Sequence, residues 1–374
     1  MGHLKERDIT VIGGGIAGLT AALALSQRGA HVQVMERAEA LRQLGAGIQI
    51  SPNAGIVLET LGLGPALDKM SWRSDGVLLH DHAGRQVAAL PLAARRPDLS
   101  FRFVHRARLV ELLANAAENA GVTLTLNTEI EALPDAALVI GADGLHSRVR
   151  EVLNGRRAPF FTGQTAWRAL ISDPEPDAYA RVFMGSGRHL VSYRLPGDLR
   201  NIVAVMERPD WAEEGWSHPD DPENLRAAFA RFGGPVPGWL SRLENVSKWG
   251  LFRHDVAERW HDGRRVIIGD AAHPTLPFLA QGAVLAIEDA WLLTEALDRI
   301  EDQQAALARF QALRAPRVTR IVEAANANAR NYHLRGPARL VGHAGLRAIS
   351  RFASERLMRG FDWIYDYDPT AERL

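Results

Sequence analysis

Three glycines spaced Gly13-x-Gly15-x-x-Gly18, with Glu36 eighteen positions further on, have the residue types to hold an adenosine diphosphate. The first glycine allows a tight turn, the second leaves the backbone open to a pyrophosphate, and the third lets a helix pack closely on a strand. The N–H groups and partial positive charge at the start of that helix attract phosphate. A carboxylate at Glu36 accepts hydrogen bonds from both ribose hydroxyls and repels a 2′-phosphate, which points to FAD or NAD rather than NADP. The alternative is an ordinary glycine-rich turn with an incidental glutamate. The order of strand, helix, strand and acid argues against it, but the fingerprint alone does not separate FAD from NAD.

Two further segments bear on that choice. Gly141-Ala142-Asp143-Gly144 follows one apolar run, and Gly269-Asp270-Ala271-Ala272-His273-Pro274 follows another. A Gly-Asp at a strand end puts a carboxylate beside a nucleotide crevice, where it can bond the ribityl hydroxyls of a flavin, a group NAD lacks. The second segment continues through Pro277-Phe278-Leu279-Ala280-Gln281-Gly282 into a helix near Ala283. Its N-terminus favours negative charge by about 0.3–1 kcal/mol, or about 2 when partly buried. The N–H groups of Gly282 and Ala283 would therefore favour the anion at N1 of a reduced flavin.

The fingerprint, GADGLHSRVR at 141–150 and GDAAHPTLPFLAQGA at 269–283 together resemble the single-component FAD-dependent aromatic hydroxylases, in particular the salicylate hydroxylase-like and 3-hydroxybenzoate 6-hydroxylase-like branch. GAGIQISPNA at 45–54, HRARL at 105–109, FTGQTAWRAL at 161–170, GSGRHLVSY at 185–193 and DWIYDYD at 362–368 extend the resemblance over nearly the whole chain. It implies non-covalent FAD, NADH or NADPH as co-substrate, and O2 activated as a flavin C4a-hydroperoxide that hydroxylates a small phenol or aromatic acid. It also implies roles for single residues. Glu36 binds the adenosine ribose, Arg106 contacts FAD, Asp143 lies near the pyrophosphate, Asp270 binds the ribityl chain, and Gly282 with Ala283 covers N1. Ala17, Arg37 and Pro277 complete the expected cofactor contacts.

A base near the ring makes a phenol more nucleophilic, and histidine has the pKa for it. His189 opens the run His189-Leu190-Val191-Ser192-Tyr193, and residues four apart on a strand share a face. The resemblance makes His189 and Tyr193 catalytic; a satisfied structural histidine beside a core tyrosine is the equal alternative. Gln281 orients a substrate hydroxyl or holds its own loop. His273 reads as structural and His254 as a second pocket candidate. Arg42 and Arg168 could meet a nicotinamide phosphate or a substrate carboxylate, although solvated or ion-paired surface arginines are commoner. The tryptophans read as packing.

Elements must position these groups. Ile9 to Ile12, a helix over Ile16 to Leu25 and His31 to Met35 make a β-α-β unit. Helices are expected at 53–65, 107–119, 222–232, 283–299, 302–333 and 337–358. Strands are expected at 122–126, 137–140, 181–184, 189–193, 202–207 and 265–268, with a hairpin-like pair at 76–90. The fold class is α/β: a Rossmann-like FAD-binding domain (6–75, 103–164, 262–335) interrupted by a mixed α+β substrate lobe (76–102, 165–261), with a helical C-terminal segment (336–374) that could form a homodimer face.

Composition narrows the rest. The chain has 374 residues, 47% hydrophobic, enough to bury a substantial core. Forty-four basic residues balance forty-four acidic ones, so no global field recruits nucleic acid or an anionic membrane. No cysteine is present, which excludes disulfides, thiolate metal sites and a cysteinyl-flavin link. Thirteen histidines show no paired ligand spacing, so no metal is expected. No signal peptide and no transmembrane helix are expected, and the cytoplasm fits. Two other readings remain open: a monooxygenase of the same fold acting on a larger non-phenolic substrate, such as a polyketide, quinone precursor or antibiotic, and a non-catalytic FAD-binding sensor.

Overall fold

The computed structural model describes residues 2–41, 47–95, 101–210 and 218–374. The first stretch runs β1 (Asp8–Ile12), α1 (Ile16–Ser26), β2 (His31–Met35), β3 (Gly47–Ile50), α2 (Pro52–Thr60), α3 (Gly64–Met70), β4 (Ser71–Ser74), β5 (Gly76–Asp81), β6 (Gln86–Leu90) and α4 (Leu92–Arg95). Next come β7 (Phe101–His105), α5 (Arg106–Asn119), β8 (Thr123–Thr125), β9 (Val139–Gly141) and α6 (Arg148–Asn154). The lobe follows with β10 (Phe160–Ser172), β11 (Tyr179–Gly185), β12 (Arg188–Leu195), β13 (Leu199–Glu207), β14 (His218–Asp220), α7 (Pro222–Phe229), α8 (Val236–Leu240) and β15 (Val246–Arg253). The chain closes with β16 (Arg265–Ile267), α9 (Gly282–Arg299), α10 (Gln303–Tyr332), α11 (Gly336–Phe352), α12 (Ser354–Arg359) and α13 (Asp362–Tyr365).

The nucleotide-type half is a five-stranded parallel sheet in the order β16-β9-β1-β2-β8. Short aliphatic runs suit strands covered on both faces. Helix α1, IAGLTAALALS, is apolar all round and buried over Ile16–Leu25, as a helix covered on every side must be. It packs between α5 and α9. The helix expected at 53–65 is two helices, broken at Gly62 (φ 83°), a backbone conformation that glycine adopts without strain.

The lobe is an eight-stranded sheet ordered β14-β15-β10-β13-β12-β11-β5-β6. Its central strands alternate strictly. Trp167, Ala169, Leu190, Ile202 and Ala204 pack on one face under α7 and α8. Ala166, Val205 and Trp249 pack on the other, against Leu276 and Phe278 of the loop before α9. The period-2 pattern thus turns this face of the lobe toward that loop and toward Ala329 and Tyr332 of α10. A three-stranded sheet, β3-β7-β4, lies at the seam. The expected limits at 102/103 and 164/165 fall inside β7 and β10, so strands rather than linkers join the two halves. Among the described residues, no helix is long and apolar enough to cross a membrane.

Candidate active site

At the end of β1, Gly13 adopts φ 107°, and a Cβ there would stand 2.3 Å from the Ala142 carbonyl oxygen. A Cβ on Gly18 would stand 1.9 Å from the Gly13 carbonyl oxygen. Neither position tolerates a side chain. At Gly15, by contrast, nothing lies within 4 Å of the Cβ position. Gly15 is the N-cap of α1, with no side-chain cap and no acid in the first turn, so the helix presents bare N–H groups to open space. Ala17 sits in that turn against Gly269, whose Cβ would lie 3.0 Å away. Half-buried Glu36 accepts from the Gly14 N–H at 2.6 Å and the Ala38 N–H at 2.9 Å, which leaves carboxylate lone pairs for ribose hydroxyls. Arg37 beside it is exposed.

Across the crevice three polar groups lack partners or sit uneasily. Asp143 accepts from the Arg148 N–H at 2.7 Å through one oxygen, while its Oδ1 is buried and unpaired. Burial pushes its carboxyl above the usual range. Asp270, in the 3-10 turn Gly269–Ala271, is also raised by burial, against the opposing pull of His273 and Arg106. Arg106 opens α5 with its Nε buried and unpaired, and burial lowers its pKa while Asp270 opposes. An unsatisfied buried polar group costs about 1–3 kcal/mol. The hydroxyls and phosphates of FAD offer the partners this crevice lacks, so the residues present fit the cofactor.

The loop that would face the flavin is held from behind. Pro277 starts a 3-10 turn, Ala280 adopts φ 54°, and Gln281 caps α9 ahead of Gly282 and Ala283. The Gln281 amide donates to Ser51 Oγ at 3.1 Å and accepts from Asn53 Nδ2 at 3.3 Å, the loop-holding arrangement. Asn53 also donates to Glu288 at 2.5 Å. Arg314 then binds Glu288 at 2.6 Å and Asp289 at 2.7 Å, all three fully buried, and Arg317 adds a second cation to Glu288 at 2.8 Å. Asp289 accepts from the Gly269 N–H at 2.9 Å and lies 2.5 Å from His273 Nε2. One buried ionic cluster therefore anchors the Gly-Asp turn, α2, α9 and α10. His273 has the structural place expected of it.

Strand registers define the facing wall. Trp249, Ala166, Val205 and His189 form one row; Arg168, Val203 and Val191 the next; Leu170, Asn201 and Tyr193 the third. His189, Arg168 and Tyr193 therefore share one face, with small side chains between them. From strand spacing, the Cα atoms of His189 and Arg168 are about 12 Å apart, a span suited to one substituted ring between the side chains. His189 is 1% exposed, touches Phe278 and Tyr332, and is held well below its usual pKa by burial. Tyr193 stacks on Phe103 at 4.8 Å, and burial pushes its hydroxyl pKa up.

Arg168 corrects the expectation of a solvated surface arginine. Its Nε is buried without a partner, its guanidinium lies 5.0 Å over the Trp249 ring, and burial lowers its pKa, Tyr193 opposing and Arg106 adding. Among the described residues it makes no ion pair. Its position on an even-numbered row of β10 follows from alternation, but the absence of a carboxylate partner is a tertiary fact. His254 does not join this wall; its Nε2 lies 3.1 Å from the Leu145 carbonyl. His333, whose Nε2 lies 2.7 Å from His189 Nδ1, was not legible as a site residue in the sequence, nor were Arg314, Glu288 and Asp289. A pair of adjacent acids inside the otherwise apolar first three turns of α9 was the available signal. Trp167, Trp239 and Trp260 pack within the core. Arg42, Trp211 and Trp216 lie outside the described residues. Among the described residues no group of three metal-ligating side chains gathers.

Residues 6–136 and 134–325 match the FAD binding domain family. A 3-amino-4-hydroxybenzoate 2-monooxygenase of Streptomyces platensis is 35% identical over 386 residues, covering 96% of each chain. A 6-hydroxynicotinate 3-monooxygenase of Pseudomonas fluorescens is 32% identical over 344 residues, covering 84% of this chain and 89% of its own. The structure of a salicylate hydroxylase substrate complex superposes with a TM-score of 0.81 at 24% identity, over 98% of this chain and 97% of that one, a likeness of fold.

Proposed function

The chain belongs to the FAD-binding-domain family of flavoprotein monooxygenases, and from that premise we propose that it uses NADH or NADPH and O2 to hydroxylate a small aromatic carboxylic acid bearing a ring hydroxyl. FAD held there would supply the redox chemistry between the nicotinamide and O2. The protein's own residues do the rest. Gly13, Gly15 and Gly18 admit the pyrophosphate, Glu36 takes the ribose, and Asp270 with Arg106 takes the ribityl chain. Asp143 with its free oxygen serves the pyrophosphate side. The bare N-terminus at Gly282 and Ala283 would stabilise the negative charge of a reduced flavin held beside it. Gln281 fixes that loop. His189, kept neutral by burial, accepts the proton of the ring hydroxyl, and Tyr193 packs the far side of the ring.

The observation that carries the reading is Arg168, half-buried, with a buried unpaired Nε and no ion pair among the described residues, on the same face as His189 and Tyr193. A substrate carboxylate supplies the missing charge, and the arginine fork matches it in geometry. The compounds named for the two relatives, an aminohydroxybenzoate and a hydroxynicotinate, each combine a ring carboxylate with a ring hydroxyl.

NADH and NADPH oxidation by the purified yellow protein, across hydroxybenzoates, hydroxypyridine carboxylates and the same phenols without the carboxylate, tests this. We expect stimulation by a carboxylated compound with a product heavier by one oxygen, and little from its decarboxylated partner. Equal turnover of the pair would remove Arg168 from substrate binding. No oxygenated product from any compound would overturn the aromatic-acid reading.

A further inference from the structure

We propose that His333 and Glu207 complete a proton relay that carries the substrate hydroxyl's proton from His189 to the protein surface; the proposal rests on His189 as the base. The three side chains stand in line across three elements. His189 Nδ1, on β12, lies 2.7 Å from His333 Nε2, just past the C-terminus of α10. His333 Nδ1 lies 3.0 Å from Glu207 Oε1, at the end of β13. His189 and His333 are 1% and 3% exposed, whereas the Glu207 side chain is 37% exposed and reaches water. The line therefore begins at a buried side chain and ends at solvent.

The geometry fixes one set of proton positions. Glu207 is a carboxylate, so His333 carries its proton on Nδ1 and donates to it. His333 Nε2 is then an acceptor, so His189 carries its proton on Nδ1 and leaves Nε2 free as the base. When the ring hydroxyl gives its proton to His189 Nε2, His189 passes its Nδ1 proton to His333 Nε2, and His333 passes its Nδ1 proton to Glu207 Oε1. Both imidazoles end neutral as the opposite tautomers, and Glu207 releases the proton to water. No buried imidazolium persists, which matters because burial disfavours a charged His189. The reverse sequence resets the tautomers when product leaves.

The charged groups around the line keep Glu207 ionised, so that a proton reaching it passes on to water. Burial lowers the pKa of His333, Glu207 opposes it, and Arg335 and Arg188, from the segment after α10 and from β12, add to the lowering. Glu207 itself is tied to Arg335, and the hydrogen bonds from Arg335 and His333 outweigh burial to hold its carboxyl below the usual range. The remaining faces of His189 are Phe278 and Tyr332, neither charged at neutral pH.

Glu207→Gln keeps an acceptor for His333 but cannot take a proton. The experiment is stopped-flow mixing of holoenzyme with a hydroxy acid it turns over, in weak buffer with a pH indicator, following both proton release and the phenolate absorbance. We expect wild type to release one proton with the phenolate signal. E207Q should slow both at least tenfold near pH 7, with unchanged FAD content and substrate Kd, and recover as pH rises. His333→Gly should show the same defect and regain rate with added imidazole, a response a purely structural contact does not give. Wild-type kinetics in E207Q and H333G, with His189→Ala defective, would overturn the relay and leave the base. Wild-type kinetics in H189A as well would overturn the base and the relay together.

Discussion

The glycines of the fingerprint make separable predictions. Gly18→Ala places a methyl 1.9 Å from a backbone oxygen, so the fold itself should lose about 1–3 kcal/mol, read as a lower midpoint in urea for the apoprotein. Gly15→Ala meets nothing within 4 Å, so the apoprotein should lose less than about 1 kcal/mol, mostly through the weaker N-cap. FAD affinity should nevertheless fall at least tenfold, because the methyl occupies the pyrophosphate's approach; unchanged affinity in G15A would place the phosphates elsewhere. Arg168→Met should weaken binding of the carboxylated substrate by about 1.5–3 kcal/mol, roughly 10- to 150-fold, the worth of hydrogen bonds to a charged group. Binding of the decarboxylated phenol should hold steady or improve, since a half-buried cation with an unpaired Nε is gone. These residues differed in legibility for a physical reason. A glycine fingerprint is local, its spacing and flanking strands all within one β-α-β unit. The meaning of Arg168 lies in what is absent around it, and only packing shows that.

At the scale of elements, α9 and α10 hold the Gly-Asp turn through a buried cluster, and its charges make that support sensitive to acid. His273 and Arg314 overcome burial to hold the Asp289 carboxyl at about 2. Its folded value is below the ordinary one of 3.8, so its contribution is complete above about pH 4 and is lost as pH falls from there toward about 2. Flavin fluorescence, which rises on FAD release, should therefore climb through that window. Asp289→Asn should lower stability at pH 7 and flatten the acid transition; an unchanged transition would exclude Asp289 as its origin. Arg314→Met strands two buried carboxylates and should cost about 3–5 kcal/mol, with FAD content lost alongside. The helical period of α9 was readable, because an amphipathic repeat reports one packed stripe. Its acids at 288 and 289 were not picked out, because their partner Arg314 on α10 lies 26 and 25 residues away and no pattern links them. Strand alternation made His189 and Tyr193 neighbours on one face, but pairing register was needed to add Arg168 between their rows. The break at Gly62 was missed because leucines on both sides sustain a helical pattern through it.

Across the whole molecule, the cofactor residues come from segments near positions 13–36, 106, 143 and 270–283, brought together by the parallel sheet and the seam strands. Their order along the chain was legible as a set of strand-end motifs. The lobe was read from the tryptophan- and proline-rich, strand-like sequence after 165, and β7 and β10 run unbroken through two of its limits. Because FAD would bridge all four segments, it should stabilise the chain cooperatively. At 100 times its Kd it adds about 2.7 kcal/mol, which should raise Tm by a few degrees in one shared transition. Separate transitions with only one responsive would mean that the halves fold independently. The central claim is that one atom of O2 enters an aromatic acid at this site. The most direct measurement is turnover under 18O2 with NADH or NADPH and the best compound of the substrate panel, with the product's mass read by mass spectrometry. The account predicts a ring-hydroxylated product carrying one 18O, formed in step with nicotinamide oxidation. Nicotinamide oxidation that yields only hydrogen peroxide, or a product whose new oxygen comes from water, would contradict it.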